Sequence, residues 1–141
     1  MADDGAIMSN NRSIVTDLPN EIKKMLGDNE SVYYKGQSKR CAPGGELVTP
    51  TEIFVTNQRV IRYKHEFFGR GILEDLHYSD VANTQVKKGI LSCDILLKPK
   101  FPGIDPIVIH AIDKNKAFDV DAIITAGIRG AANVQGGRYT Q

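Results

Sequence analysis

At 141 residues, with 41% hydrophobic and 25% charged side chains, the chain suits one globular domain built on one core. A formal net charge of +1 provides no long-range field to draw nucleic acid or an acidic membrane, so a charged partner has to be met by a local patch. Two cysteines, Cys41 and Cys93, exclude a disulfide scaffold. The start MADDGAIMSNNRS has neither the basic region nor the apolar run of a secretory signal, and no apolar run reaches the roughly 18 residues of a membrane span, so the expected setting is cytoplasmic.

Residues 1–16 are polar and aperiodic and read as a flexible N-terminus. The next stretch, TDLPNEIKKMLGDNE, places Leu18, Ile22, Met25 and Leu26 at helical spacing. Asp17 is positioned to cap that short helix, Pro19 fits its first turn, and Gly27 stops it.

From Ser31 to Ala111 the pattern changes to short runs rich in Val, Ile, Tyr and Thr, broken by Gly, Pro and Asn about every ten residues. Seven antiparallel strands are predicted, near Ser31–Lys39, Glu52–Thr56, Arg59–Lys64, Ile72–Tyr78, Val81–Lys87, Leu91–Lys98 and Ile107–Ile112. The clearest is LSCDILLK, whose alternation turns Leu91, Cys93, Ile95 and Leu97 to one side, the core.

After the last strand Asp113 reads as a helix cap. Ala117, Val120, Ile124 and Ile128 form one stripe, with Phe118 and Ile123 beside it, which predicts a closing amphipathic helix. The end, RGAANVQGGRYTQ, offers little to bury and reads as a flexible tail over 129–141. The domain is therefore expected over 17–128, mainly β with a C-terminal α-helix and a short N-terminal helix. Its bent sheet or open barrel is completed by the C-terminal helix.

Two segments carry more than generic strand patterning. Phe54-Val55-Thr56-Asn57 is followed by Arg59-Val60-Ile61, Tyr63 and Gly69; then come Tyr78-Ser79-Asp80-Val81 and Val86 with Gly89-Ile90-Leu91. In this order they resemble the bacterial pleckstrin-homology-like (PH-like) family, especially its YokE-like branch, with Gln58 replacing the usual basic residue. The resemblance covers about residues 30–128. It implies a PH-like split β-barrel of seven strands capped by the C-terminal helix, and permits ring-like homo-oligomers built through open strand edges. Read physically, Asn57 suits a left-handed turn position and Ser79-Asp80 a turn closed by side-chain hydrogen bonds.

Chemistry is harder to find. His65, His77 and His110 fall on different predicted elements with no acid or nucleophile at motif spacing, so no catalytic residue is assigned. Cys41 and Cys93 lack any CxxC or HxxxH pairing that would make a metal site; Cys93 reads as a packed core thiol. APGGEL at Ala42–Leu47 lacks the Lys-Ser/Thr of a phosphate loop and reads as a turn, and Lys87-Lys88 reads as solvated hairpin charge. No cofactor is expected. Aromatics are few and no basic stripe interleaves with them, so nucleic acid is not an expected partner.

What remains is the hairpin TNQRVIRYKHEFFGRG. If Ile61 and Tyr63 point inward, Arg62 and Lys64 form a basic ridge outside. Adjacent Phe67 and Phe68 point to opposite faces, which exposes one of them beside Arg70. The predicted strand at Glu52–Thr56 lacks the basic-x-basic pair typical of phosphoinositide-binding PH domains. The expected function is thus a non-enzymatic PH-like interaction module acting through protein–protein contacts, homo-oligomerisation included. The alternative is a peripheral binder of anionic lipid, using Arg62 and Lys64 on a strand face and Phe67, Phe68 and Arg70 at an aromatic tip.

Overall fold

The computed structural model describes residues 13–38 and 51–139. A short helix α1 (Asn20–Met25) precedes seven strands: β1 (Val32–Ser38), β2 (Thr51–Thr56), β3 (Arg59–His65), β4 (Gly71–His77), β5 (Val81–Lys88), β6 (Ser92–Pro99) and β7 (Ile107–Asp113). A long helix, α2 (Lys114–Tyr139), follows. The strands form two antiparallel sheets in sequence order, β1-β2-β3-β4 and β5-β6-β7. The mainly β class, the strand count and both helices are as the sequence predicts. Residues 1–12 and 39–50, which hold Cys41 and the APGGEL turn, lie outside the described residues.

The main core lies between the sheets. Ile53, Val55, Val60 and Leu76 of the first sheet meet Val81, Cys93, Ile95, Leu97, Ile107, Ile109 and Ile112 of the second. Ala117, Val120, Ile123 and Ile124 of α2 close it on a third side. Asp113 starts α2 by accepting the Asn115 N–H at its Oδ1 (2.8 Å). Cys93 is buried, as its alternation requires.

The first sheet departs from a one-faced reading. Phe54 and Ile61 are fully buried yet point away from the main core, into a second cluster with Ile22 and Val32, packed by Val15, Leu18, Met25, Leu26 and Tyr63. The N-terminal layer thus covers the outer face of the sheet. Strands buried on both faces lose strict alternation, and Ile53-Phe54-Val55 is a continuous apolar run for that reason. Ile61 and Tyr63 are therefore inward only with respect to the N-terminal layer, and Arg62 and Lys64 follow Val60 on the other face.

Several smaller expectations are corrected. Asp17 does not cap α1, whose N-cap is Pro19 with no side-chain bond; its carboxylate faces Lys35 instead. Val15 belongs to the fold, its N–H donating to the Val32 carbonyl (2.8 Å). α2 runs on to Tyr139, through most of the stretch read as a tail, because extending an existing helix fixes one residue per new hydrogen bond whereas starting one fixes several. Phe118 lies beside the buried stripe, where the spacing puts it, and is 62% exposed. Leu91 is outside the core because β6 begins at Ser92, and the preceding residues form the turn.

Beyond that apolar stripe, α2 approaches the barrel closely at Gly127. A Cβ there would collide with the ring of Tyr78, which is itself buried and held by its hydroxyl's hydrogen bond to the Thr56 carbonyl (2.6 Å). Gly130, one turn on, has open space around it. The two glycines should therefore respond in opposite directions: Gly127→Ala should lower stability by about 1–3 kcal/mol through overpacking, whereas Gly130→Ala should raise it by up to about 1 kcal/mol through helix propensity. Chemical denaturation of both variants beside the parent tests this, and equal shifts would contradict the packing of α2 described here.

Candidate interaction surface

The turn between β2 and β3 explains the Thr-Asn-x-Arg stretch without a ligand. Thr56 Oγ1 accepts the backbone N–H groups of Gln58 (3.0 Å) and Arg59 (2.9 Å) and donates to Glu30 Oε2 (2.8 Å). Asn57 is not left-handed; its amide spans the turn and the α1–β1 linker, accepting from Ser31 N–H and donating to the Asn29 carbonyl (2.9 Å each). Asn29 takes the left-handed conformation instead (φ 59°). Gln58 donates through Nε2 to the Asp28 carbonyl (3.3 Å). Ser79 and Asp80 lie in a short 3-10 turn, where the Asp80 backbone carbonyl accepts from Lys100 N–H (2.8 Å).

Beneath that turn lies a charge pair that the sequence reading missed. Glu30, with a side chain only 1% exposed, receives two bonds from Arg59, Nε to Oε2 and Nη2 to Oε1 at 3.0 Å each. Gly27 N–H also donates to Glu30 Oε1 (2.8 Å), and Arg59 Nη1 reaches Asp75 Oδ2 (2.7 Å). Burial pushes the Glu30 pKa up, but hydrogen bonds from Arg59, Gly27 and Thr56 and the charge of Arg59 outweigh it. The pKa ends below the ordinary value of 4.5.

The three histidines each meet a single carboxylate: His65 with Glu52 (3.1 Å), His77 with Asp75 (3.3 Å) and His110 with Asp94 (3.4 Å). Among the described residues no group of three or more His, Cys, Asp or Glu side chains is placed to hold a metal ion. No helix among them is long and apolar enough to cross a membrane.

The β3–β4 hairpin is where the candidate residues gather. Arg62 is engaged by Glu74 across the strand pair, Nε to Oε2 at 2.8 Å with a second contact from Nη2. It borders a cleft of about 420 Å³ whose other charged walls are Glu74, Asp75 and Asp105. Arg62 is taken by Glu74 and Asp75 by Arg59, so the guanidinium of the predicted basic ridge is paired rather than free. Lys64 is exposed, in register with Ile72 and Thr51.

At the tip, Phe67–Gly69 form a 3-10 turn closed by Glu66 N–H to the Arg70 carbonyl (2.8 Å). Phe68 is fully exposed and has φ 65° and ψ 34°, a conformation that L-residues other than Asn and Asp seldom occupy. Gly69 follows with φ 72°. Gly71 is required for another reason, since a Cβ there would strike the Tyr63 ring. Arg70 is exposed beside Phe68, and the side chain of Phe67 lies outside the described residues.

A second cleft, about 520 Å³ and more apolar, lies between the N-terminal segment, β1 and α2. It is lined by Val15, Tyr33, Tyr34, Val120 and Ile123, together with the charged Lys35, Lys116 and Asp119.

With this geometry in view, comparison with known proteins is decisive for ancestry. The family model described as bacterial PH domain matches residues 26–124. This chain belongs to the bacterial PH domain family. In fold it is similar to the crystal structure of a DUF1696 family protein with a pleckstrin-homology domain from Shewanella loihica PV-4. That similarity has a TM-score of 0.55 at 16% identity and covers 77% of this chain and 87% of that one. A pleckstrin homology domain from Shewanella amazonensis SB2B aligns at TM-score 0.47 and 16% identity, covering 77% of this chain and 93% of that one. No curated protein matches the chain. The family and the two-sheet barrel with its capping helix are those the residues implied.

Glu30 gives a pH test with a definite sign. Because its folded pKa is depressed, its contribution is fully present above the ordinary value of 4.5 and is lost as pH falls through the lower folded value. Glu30→Gln leaves Arg59 without its buried partner and should cost about 3–5 kcal/mol at neutral pH. The gap between variant and parent should narrow in acid. Denaturant titrations across that range decide it, and a gap independent of pH would show that the carboxylate charge is not what holds Arg59.

Proposed function

We propose that this bacterial PH domain is a non-enzymatic interaction module that works through protein–protein contacts, further copies of itself included, with the β3–β4 tip as the contact. The observation that carries the reading is Phe68, a large apolar ring held fully in solvent by a left-handed backbone. Both features work against the isolated domain. A non-Gly residue in that conformation costs about 1–2 kcal/mol, and the exposed ring gains nothing from burial. A residue that opposes the stability of its own domain finds its compensation in a partner.

The neighbouring cleft is no ready anion site, because Arg62, its one cationic wall, is already bound to Glu74 and an anionic headgroup finds no free positive charge among its lining residues. Self-association has a receptor in the apolar cleft between β1 and α2, which is large enough to take an aromatic side chain. A contact joining two different surfaces of one chain propagates head to tail. Arg70, beside the ring, supplies a cation at the rim.

Phe68→Asn separates contact from fold. Asn is at ease with positive φ, so the variant's thermal midpoint should stay the same or rise, while the concentration-dependent mass seen by light scattering should fall. Loss of stability with association intact would reverse both assignments. Removing Arg62 should change stability by about 1 kcal/mol or less, since its partner Glu74 is 44% exposed and regains water when the guanidinium is gone.

A further inference from the structure

The β5–β6 hairpin turns through Gly89–Ser92, closed by Gly89 N–H to the Ser92 carbonyl (2.8 Å). A Cβ on Gly89 would sit 2.8 Å from that same carbonyl oxygen, so backbone closure accounts for the glycine. It does not account for the next two residues. Ile90 is 91% exposed and Leu91 is 88% exposed, and neither has the positive φ that would restrict the choice of residue. Asn, Asp or Ser would close such a turn as well or better. Two large aliphatics at a protruding corner therefore serve neither the core nor the turn.

Their surroundings are basic. Lys87 and Lys88 pair with Asp94 and Cys93, just behind the corner. Lys114 opens α2 directly after Asp113, which pairs with Ser92. All three lysines are exposed. Lys88 Nζ lies 5.3 Å from the ring centre of Phe118, which extends the apolar surface from the turn to the helix. The carboxylates nearby are partly engaged by the fold: Asp94 accepts Ala111 N–H (2.8 Å) and faces His110, and Asp113 accepts Asn115 N–H (2.8 Å). Asp119, on the second turn of α2, lies in the cleft against β1.

We propose that this corner is an interfacial membrane contact, with Ile90 and Leu91 entering the acyl boundary of an anionic bilayer while Lys87 and Lys88 meet its phosphate groups. A convex corner needs no complementary cavity to enter a fluid apolar phase, whereas a protein partner must supply one. The lysines select a negative surface, each contributing about fivefold in affinity close to it. Two aliphatic side chains alone give only weak, reversible attachment, so charge and insertion act together. This surface is separate from the Phe68 tip and stands on its own observation.

The chain contains no tryptophan, which makes a single introduced indole an unambiguous reporter. Leu91→Trp and Phe68→Trp are each mixed with vesicles of phosphatidylcholine containing phosphatidylglycerol, and with pure phosphatidylcholine. The expected result is co-sedimentation of both with the anionic vesicles and a blue shift for Leu91→Trp alone. Lys87→Ala with Lys88→Ala should weaken partitioning about 25-fold, and Ile90→Ser with Leu91→Ser at least tenfold, with the parent's thermal transition kept in each. The proposal is overturned by absence of sedimentation, by a blue shift confined to Phe68→Trp, or by a Leu91→Trp shift that follows protein concentration rather than lipid. The last outcome would assign the corner to a second copy of the chain.

Discussion

The placement of the N-terminal layer on the barrel depends on a buried carboxylate and guanidinium, Glu30 and Arg59, that join the linker before β1 to the turn after β2. The pair is twofold hydrogen-bonded and almost fully dehydrated, and the remaining oxygen valences are taken by Gly27 N–H and the Thr56 hydroxyl. A buried ion pair adds little net stability compared with apolar packing, but either member alone is expensive to leave unpaired. The pair therefore acts as a specification: α1 has one place to sit, and the β2–β3 turn has one shape. From Thr56 the connection continues through its carbonyl to the Tyr78 hydroxyl, and from the Tyr78 ring to Gly127 of α2. The N-terminal layer, the barrel and the closing helix are thus registered to one another through a short series of contacts.

How much of this was legible beforehand depended on whether a segment is buried on one face or two. Ser92–Pro99 alternates because one side of β6 faces the core, and its register could be read directly. Thr51–Thr56 could be recognised as a strand but not oriented, since Phe54 goes to the N-terminal cluster while Ile53 and Val55 go to the main core. The same ambiguity misplaced Arg62, which shares the face of Val60. Glu30 was illegible for a different reason. In sequence it is one acid among several in a linker, and its partner lies 29 residues away. The available signal was Arg59 itself, a charged residue directly before the apolar pair Val60-Ile61, which called for an acid partner.

At the surface, the hairpin ends carry the information that the core does not. Phe68 was one of two aromatics from which the pattern demanded one exposed, and its own ring stands fully in solvent on a left-handed backbone. Leu91 was drawn into the core by extrapolating an alternation that stops one residue earlier. The error is informative, because a strand pattern continued into a turn is how an apolar residue comes to be presented outward. Gly89-Ile90-Leu91 is one of the stretches on which the family resemblance was read, yet only its glycine is explained by folding.

The double burial of the first sheet also bears on how the molecule opens. The layer formed by Val15, Leu18, Ile22 and Met25 is small and rests on Phe54 and Ile61, while the barrel retains its own core beneath. With the Glu30–Arg59 link broken, such a layer would be the first unit expected to open, since the seven strands and α2 keep a core of their own. Backbone amides of α1 and its linker then exchange with solvent hydrogen sooner than those of β6, whose neighbours on both sides are strands of the same sheet. Detachment would uncover Phe54 and Ile61 together, and with them an apolar sheet face that the closed domain conceals.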